Sequence, residues 1–242
     1  MKFKKRVDKT IKYKNEFWAL IPARGGSKSL KDKNIKLLNG KPLIFYSLAF
    51  AANNKNIKKT IFSSDSKKYL NIAKKIKKII LHKRTPSAAK DRSSDLSVFQ
   101  DFIFKHLKEN NYLPKYFIYF RPTTPIRKKS TIDKAIMLFK KKEKNYSSLA
   151  SIHEMSETAF KSVMIVKEKL VGVFNNLNID NLNLPRQNFP KTFRYNGIID
   201  IFKTKNIILK KLYGNKVLPF NTNEDFNLEI DTLNDFRKIQ KY

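Results

Sequence analysis

The chain is organised around one motif, which reads Phe17-Trp18-Ala19-Leu20-Ile21-Pro22-Ala23-Arg24-Gly25-Gly26-Ser27-Lys28 and continues to Lys33-Asn34. An apolar run followed by glycines and basic side chains is typical of a buried strand that leads into a phosphate-binding loop. Glycines let a backbone approach an anion closely and direct successive N–H groups at it. The motif therefore predicts a polyphosphate site, with positive charge from Arg24, Lys28 and Lys33.

Two familiar nucleotide loops do not fit this motif. No Gly-Lys-Ser/Thr sequence closes it, as a Walker A loop requires, and the third glycine of a dinucleotide fingerprint is missing. Taken alone, two glycines near lysines also fit a basic surface loop that follows a strand.

Composition limits the classes of protein to consider. The 242 residues suffice for one sizeable α/β domain, and the absence of cysteine excludes disulfides and thiolate metal sites. The three histidines are not at ligand spacing, which argues against zinc. A net charge of +32 is compatible with binding to nucleic acid or a membrane surface. Because lysine is spread over nearly every predicted element, we favour a compositional bias and expect no nucleic-acid partner.

The first sixteen residues are basic and contain no apolar run, so they do not resemble a secretory signal. No segment approaches the roughly 20 apolar residues of a membrane span. We expect a cytoplasmic protein without a membrane partner, in which residues 1–16 are a loosely attached basic extension and residues 17–242 are the folded domain.

Strands and helices alternate along the domain. Strands are predicted at 17–22, 59–65, 79–81, 116–120 and 149–152, and helices at 43–53, 67–76, 95–107 and 132–142. This order predicts an α/β fold with a mostly parallel sheet flanked by helices. Ligands of such sheets bind at the carboxyl ends of strands, so the loops after residues 22, 64 and 120 should meet in one crevice.

The opening motif resembles the signature of the sialic-acid-type (acylneuraminate) cytidylyltransferases, which include the CMP-N-acetylneuraminate synthetases and relatives that activate legionaminic and pseudaminic acids. The resemblance covers residues 17–242 and implies a Rossmann-like nucleotide-sugar transferase fold. Ser63-Ser64-Asp65, Lys83-Arg84-Thr85-Pro86 and Asp91-Arg92-Ser93-Ser94-Asp95 resemble further nucleotide-site segments, although the serines also suit helix caps. The nucleotide-binding residues implied are Arg24, Gly25, Gly26, Ser27, Lys33, Asn34, Arg84, Ser93 and Ser94.

Two later segments resemble the sugar side of the family's site. Arg121-Pro122-Thr123-Thr124-Pro125-Ile126-Arg127 is similar to Gln-Pro-Thr-Ser-Pro-Leu-Arg, and Phe193-Arg194-Tyr195-Asn196-Gly197-Ile198-Ile199-Asp200 to Tyr-Arg-x-Asn-Gly-Ala-Ile-Tyr. Arg121 replaces the family's Gln and Asp200 its Tyr, which suggests a retained nucleotide and a changed sugar. The sugar-binding residues implied are Arg121, Thr123, Thr124, Lys161, Arg186, Asn196, Gly197 and Asp200.

The irregular segment at about residues 153–189 matches the family's dimerisation arm, which crosses to the partner subunit and brings a Lys and an Arg to its site. The resemblance therefore implies a homodimer in which Lys161 and Arg186 have these roles. The alternative is a local hairpin insertion on a monomer.

The sequence Asn227-Leu228-Glu229-Ile230-Asp231-Thr232 resembles the family's closing Asp-Ile-Asp-Thr motif. On a strand, Glu229 and Asp231 would project to the same face and form a paired carboxylate site suited to Mg²⁺. The alternative is a polar strand face in which Asp231-Thr232 caps the last helix.

The resemblance implies that CTP and a nine-carbon α-keto acid sugar give a CMP-sugar and diphosphate. Such a transfer needs positioning and charge neutralisation more than a covalent nucleophile. We expect Arg24, Lys28 and Asp231 to be catalytic, with Asn34 and Ser94 orienting the nucleotide. Another sugar such as KDO, an inactive sugar-binding relative and a basic nucleic-acid-binding protein remain the alternatives.

Overall fold

The described residues form a seven-stranded sheet in a computed structural model that describes residues 11–26, 30–90, 93–174, 178–223, 225 and 229–241. The strands are β1 (Lys12–Pro22), β2 (Leu37–Leu38), β3 (Lys41–Pro42), β4 (Lys59–Ser64), β5 (Ile79–Lys83), β6 (Tyr112–Tyr119), β7 (Ser148–Glu154), β8 (Val163–Val166), β9 (Lys169–Gly172), β10 (Phe193–Lys203) and β11 (Val217–Asn221). The sheet order is β11-β7-β10-β6-β1-β4-β5, and within it only β10 runs antiparallel to its neighbours.

Helices cover both faces of this sheet. They are α1 (Leu43–Asn53), α2 (Lys67–Lys74), α3 (Asp95–Glu109), α4 (Lys129–Lys142), α5 (Ile179–Leu182), α6 (Thr204–Ile208) and α7 (Leu233–Ile239). Successive residues of β1 point to opposite faces, so Ala19 joins the core beneath α1, α2 and α4 while Leu20 joins the core beneath α3 and α6. The predicted Rossmann-like α/β fold is confirmed, and α1 has the predicted bounds.

The first strand begins five residues earlier than the sequence predicted. Residues 12–14 pair with residues 112–114 of β6, and the Lys14 ammonium lies 3.8 Å from the centre of the Tyr112 ring. The prediction that the loosely attached extension reaches residue 16 is therefore wrong for residues 12–16, and residues 1–10 lie outside the described part. Lys12 and Lys14 are exposed, so residues 12–16 lack the apolar run from which the rest of the strand was predicted. Pro114, which lacks an N–H, is accommodated just before the irregularity between Lys14 and Phe17.

The segment predicted as an arm or a local insertion contains a β-hairpin. Strands β8 and β9 pair only with each other among the described residues, and every side chain of β8 is exposed. Ile165 has 77% of its surface exposed, and Val163, Met164, Leu170 and Val171 are also exposed. The hairpin thus presents apolar side chains that the described residues do not cover. Among the described helices, none is long and apolar enough to cross a bilayer.

The predicted strand at residues 227–232 is wrong where the structure describes it. Residues 229–231 have no strand structure, and Asn227 and Leu228 lie outside the described residues. The Ile230 N–H donates to the Thr123 carbonyl at 2.8 Å, and the Ile230 carbonyl accepts from Lys33 Nζ at 2.9 Å. Because a loop and a lysine satisfy this backbone, the segment has no need of a strand partner.

Candidate active site

The loop after β1 is fixed by side chains from neighbouring segments. The Gly25 N–H donates to Asp65 Oδ1 at 2.9 Å, and Asn34 Nδ2 donates to the Arg24 carbonyl at 3.3 Å. Gly26 is exposed with φ of +69°, a conformation that favours glycine. The sequence predicted that the Gly25 amide faces an anion, but here it faces a carboxylate of its own chain. Ser27 and Lys28 lie outside the described residues.

Lys33 joins this loop to the segment before α7. Its side chain is buried, and its ammonium lies 3.0 Å from Asp231 Oδ1 in addition to the bond with the Ile230 carbonyl. The Asp231 side chain is 63% exposed. The structure therefore brings together the predicted phosphate and metal residues, although Lys33 is paired with Asp231 rather than directed into open solvent.

Glu229, from the same segment as Asp231, contacts the loop after β6. Thr123 Oγ1 donates to Glu229 Oε1 at 3.2 Å, and the backbone bond between Ile230 and Thr123 holds the two segments together. The two carboxylates offer the oxygen ligands that Mg²⁺ prefers, and Mg²⁺ commonly uses one or two carboxylates together with substrate phosphates. The donor set fits that ion, although the described residues contain no group of three or more metal-ligating side chains.

The alternative role predicted for this segment, capping of the last helix, is confirmed for Thr232. Its Oγ1 accepts from the Asp235 N–H at 3.2 Å, and Asp235 Oδ2 accepts from the Thr232 N–H at 2.9 Å. Because these two side chains cap α7, the side chain of Asp231 is not needed as the cap.

Arg84 follows the end of β5, and Ser93 and Ser94 precede the first residue of α3. Arg84 is buried, and its Nε and Nη2 donate to the Oγ and the carbonyl of Ser63, each at 3.1 Å. Burial lowers the pKa of Arg84. Ser94 caps α3 by accepting from the Ser97 N–H at 3.3 Å, and Ser93 Oγ donates to the Ser87 carbonyl at 3.2 Å. Capping by Ser94 is confirmed, and nucleotide contact by both serines stays a prediction.

The two residues that depart from the family pattern form an ion pair with each other. Arg121 Nη1 lies 2.9 Å from Asp200 Oδ2, which also accepts from the Tyr213 hydroxyl at 3.3 Å. Burial raises the pKa of Asp200 to about 6, although Arg121 opposes the rise. Burial also opposes the charge on Arg121, but Asp200 and Tyr119 outweigh it and raise the pKa of Arg121. Asp200 is closed off from solvent, so here it contacts Arg121 rather than a ligand.

Three other residues predicted to bind sugar are packed inside the protein. Gly197 has φ of +68°, and a Cβ there would lie 3.1 Å from both Arg121 Cδ and Thr124 Oγ1. Thr124 is buried, and Asn196 Nδ2 donates to Thr222 Oγ1 at 2.6 Å. These side chains shape the wall behind Arg121, since Thr124 and Asn196 are not accessible to a ligand in this arrangement.

Arg127 organises the same loop, and the sequence interpretation gave it no role. Its guanidinium donates to Ser47 Oγ at 2.9 Å and to three carbonyls, those of Ile198 and Arg121 at 2.8 Å and that of Gly197 at 3.3 Å. Burial lowers the pKa of Arg127. A buried arginine surrounded by carbonyls fixes the loop against α1 and β10. The available signal was its place at the end of the proline-rich motif.

Lys161 and Arg186 do not join these groups. In the described structure Lys161 Nζ lies 5.8 Å from the centre of the Phe189 ring, and Arg186 Nη2 donates to Glu154 Oε1 at 2.8 Å and to the Met155 carbonyl at 2.9 Å. Lys191 binds the other oxygen of Glu154 at 3.1 Å. Both predicted arm residues therefore have their polar and ring partners within the region around the hairpin.

Known proteins resemble this chain over nearly its whole length. The family model described as cytidylyltransferase matches residues 18–241. The CMP-N,N'-diacetyllegionaminic acid synthase of Legionella pneumophila is 29% identical over 229 residues, covering 92% of this chain and 94% of the relative. The post-translational flagellin modification protein B of Campylobacter coli is 27% identical, covering 93% and 94%. The N-acylneuraminate cytidylyltransferase of Streptococcus agalactiae serotype III is 29% identical, covering 90% of this chain and 51% of the relative.

Solved structures agree on the fold. A CMP:2-keto-3-deoxy-manno-octonic acid synthetase in complex with CTP aligns with a TM-score of 0.64 at 14% identity, covering 93% of this chain and 97% of that one. A 4-diphosphocytidyl-2C-methyl-D-erythritol synthase gives 0.64 at 10% identity, covering 95% and 99%. At such identities the likeness speaks for the fold alone, whereas the family model spans both the loop after β1 and the segment before α7. The chain belongs to the cytidylyltransferase family.

Proposed function

We propose that this protein transfers CMP from CTP to a nine-carbon α-keto acid sugar of the nonulosonic type and releases diphosphate. The observation that carries the proposal is the contact of Lys33 with Asp231, which joins the loop after β1 to the carboxylates near α7. Family membership supports the nucleotidyl transfer, and relatives named for legionaminic and neuraminic acids support the class of sugar. A cytoplasmic location belongs to the same proposal.

In the proposed reaction the anomeric hydroxyl of the sugar attacks the α-phosphorus of CTP. The new oxygen–phosphorus bond forms as the bond to diphosphate breaks, and the hydroxyl proton leaves to solvent. Arg24 and Lys28 offset the charge of the triphosphate and of the leaving group, and Lys33 fixes the loop beside Asp231. Asn34 holds the backbone of Arg24, so its contribution to nucleotide binding runs at least through that carbonyl.

Glu229 and Asp231 would hold Mg²⁺ in this proposal. The ion supplies a positive charge that neutralises phosphate oxygens. Asp231 is the more exposed partner of Lys33, and Glu229 is held by Thr123, so the two carboxylates arrive from a single short segment fixed on two sides.

Diphosphate release tests the reaction. The wild-type protein is assayed with CTP, ATP, GTP and UTP against N-acetylneuraminate, legionaminate, pseudaminate and KDO. We expect turnover with CTP and a nine-carbon sugar, and equal turnover of all four nucleotides would contradict the proposal. Preference for KDO would keep the transfer and overturn the class of sugar.

Asp231→Asn tests the carboxylate site at nearly constant side-chain size. We expect a loss of about a hundredfold or more in rate, because a charge that supports the transition state is removed. Asp235→Asn is the control, since Asp235 caps α7 and accepts from the Asp231 N–H but is itself no proposed ligand, and an asparagine oxygen can still accept there. Wild-type rates for Asp231→Asn at low magnesium concentration would show that these carboxylates do not bind the metal.

We also propose a homodimer in which the hairpin of β8 and β9 covers a second copy of this chain. The support is the uncovered apolar surface of the hairpin, centred on Ile165. In such a dimer Lys161 and Arg186 would contribute to the sugar site of the second copy, because they do not join the groups around Arg121 in their own chain.

Sedimentation at micromolar concentration tests the dimer. Ile165→Lys should yield monomers, whereas Met137→Lys on α4, where the methionine is 69% exposed, should leave the dimer intact. Arg186→Ala should lower activity without dissociating the dimer. A fully active wild-type monomer would overturn the proposal.

A further inference from the structure

A chain of buried polar side chains runs from α3 to Arg84. Arg84 Nε lies 3.1 Å from Ser63 Oγ, and Ser63 Oγ lies 3.0 Å from His82 Nδ1. On the other side of the imidazole, His82 Nε2 lies 3.3 Å from Asp101 Oδ2. Ser63 is fully buried, and His82, Arg84 and Asp101 are nearly so. The four residues come from the ends of β4 and β5 and from α3.

The chemistry of the four groups fixes the direction of their hydrogens. The Arg84 Nε–H can only donate, so Ser63 Oγ accepts from it. The Asp101 carboxylate can only accept, so it favours the imidazole hydrogen on Nε2. Nδ1 of the neutral ring is then an acceptor, and the Ser63 hydroxyl donates to it. Nε2 lies off the line of a well-aligned hydrogen bond and makes no other in the described structure, so the Asp101 carboxylate attracts this neutral N–H as a charge attracts a dipole.

This direction requires a neutral imidazole. Burial lowers the pKa of His82 to about 4, and the charged groups around the ring are Asp101, Lys105 and Arg84. A second hydrogen on Nδ1 would point at Ser63 Oγ, which already accepts from Arg84. The hydroxyl hydrogen would then lose its acceptor, and the row of donors would end at the serine.

Asp101 fixes a second point next to Arg84. Its Oδ2 accepts from the Thr85 N–H and its Oδ1 from the Thr85 hydroxyl, each at 2.9 Å. The backbone on one side of Arg84 and the guanidinium itself are therefore both tied to one carboxylate on α3. The row is built to hold one guanidinium in place.

The guanidinium held in this way lies close to the loop after β1. The Ser63 carbonyl that accepts from Arg84 Nη2 also accepts from the Ala23 N–H at 2.9 Å, at the start of that loop. After the larger effect of burial, Asp65 raises and Arg24 lowers the pKa of Arg84. Nη1 of Arg84 has no hydrogen-bond partner among the described residues. We propose that Asp101, His82 and Ser63 are positioning residues that orient Arg84 toward the phosphates or ribose of the bound nucleotide. The identity of that nucleotide as CTP rests on the proposed function.

Calorimetric binding of CTP without sugar tests this role. Ser63→Ala and Asp101→Asn should each weaken CTP binding about tenfold, on the scale of one hydrogen bond to a charged group, and leave the KM for the sugar unchanged. His106→Gln is the matched control, because His106 is also on α3 but packs on Trp18 and has its hydrogen-bond partner in Asn110, outside this row of side chains. Its CTP affinity should equal that of the wild type. The proposal would be overturned if Ser63→Ala and Asp101→Asn both bound CTP with wild-type affinity, or if they lost no more affinity than the His106→Gln control.

Imidazole nitrogen NMR provides a test that does not depend on turnover or on the variants folding. The chain has three histidines, so the spectrum of the wild-type protein is simple to assign. We expect His82 to be neutral with its hydrogen on Nε2 down to about pH 5. A hydrogen on Nδ1, or titration of His82 near pH 6.5, would contradict the proposed positioning of Arg84 by Asp101, His82 and Ser63.

The two levels of the proposal can be separated. If the wild type binds ATP, GTP or UTP in place of CTP, the proposed function is wrong. The affinities of Ser63→Ala and Asp101→Asn are then measured with that nucleotide. Binding of none of the four would overturn both.

Discussion

The central sheet and the β8–β9 hairpin both contain apolar side chains, but the sheet buries them and the hairpin exposes them. On β6, Phe117 and Ile118 are completely buried between two layers of helices, whereas Ile165 on β8 is 77% exposed. The sheet completes its core within one chain, but the hairpin has no second layer among the described residues. Apolar, β-branched sequence therefore predicts a strand in both regions without telling what covers it. Residues that build the sheet and its loops should govern stability, and residues of the hairpin should govern association.

Removal of the Arg127 side chain should have the largest effect on stability. Arg127→Met removes the buried donor of the Ile198 and Gly197 carbonyls and of the Ser47 hydroxyl, which should lower the free energy of unfolding by about 3–5 kcal/mol. The Arg121 carbonyl keeps the Ser47 hydroxyl and the Thr124 N–H as donors. Urea denaturation measures the loss. Arg237→Met on the exposed side of α7 should change it by less than about 0.5 kcal/mol. Equal effects would mean that the loop after β6 is not fixed by Arg127.

A pH-dependent change is expected at the Arg121–Asp200 pair. A carboxyl with a raised pKa stabilises the fold below its unfolded pKa and loses that contribution as the pH rises through the folded pKa. With the pKa of Asp200 raised to about 6 from 3.8, chiefly by burial, the wild type should lose about 2 kcal/mol from this group between pH 4 and pH 7. Asp200→Asn cannot ionise, so its unfolding free energy relative to wild type should rise by that amount.

Unfolding titrations at several pH values measure this change. Exposed Glu157→Gln serves as the control and should show no such trend. A change of opposite sign for Asp200→Asn would mean that attraction to Arg121 outweighs the burial of Asp200.

Gly197→Ala should have a smaller cost, and it has a control with the same backbone. Alanine at this position combines a positive φ with a Cβ 3.1 Å from Arg121 and Thr124, which should cost about 2–3 kcal/mol. Gly40 has φ of +76° with no atom within 4 Å of the added Cβ, so Gly40→Ala should cost only about 1 kcal/mol. Thermal unfolding compares the two. Identical costs would show that the wall behind Arg121 yields without resistance.

Ile165→Lys should have the smallest effect on the protomer. Because the side chain is exposed, the unfolding free energy of the monomeric variant should stay within about 0.5 kcal/mol of wild type measured under dissociating dilution. A loss above 2 kcal/mol would mean that the hairpin packs against its own chain, and the contrast between sheet and hairpin would fail.

Local patterns predicted the parts of the fold that depend on local periodicity. The buried residues of α1 are Leu43, Ile44, Ser47, Leu48 and Ala51, and their spacing follows the helical period from which the helix at 43–53 was predicted. The parallel direction of β1, β4 and β5 followed from the alternation of strands and helices. The match of motifs to known nucleotide sites predicted the family.

Contacts between distant residues were beyond the sequence. Arg121 and Asp200 are 79 residues apart, so nothing local reveals that two departures from the family pattern pair with each other. The strand predicted at Glu229 and Asp231 failed because the donor for its backbone is Lys33, almost 200 residues earlier. Likewise, the Gly25 amide was predicted to face a ligand, and its partner Asp65 lies at the end of another strand.

The pairing of β1 with β6 has a consequence for how the chain is made. Lys12 is opposite Tyr112, so the middle of the sheet joins segments 100 residues apart. At a synthesis rate of about 5–20 residues per second, β1 waits roughly 5–20 s for this neighbour to leave the ribosome. During that interval β4, the partner on its other edge, is already available from residue 59. An early unit of β1 and β4 with α1 packed on it would protect the apolar strand β1 from aggregation. Slow codons after residue 64 would give this unit more time to form before β6 is synthesised.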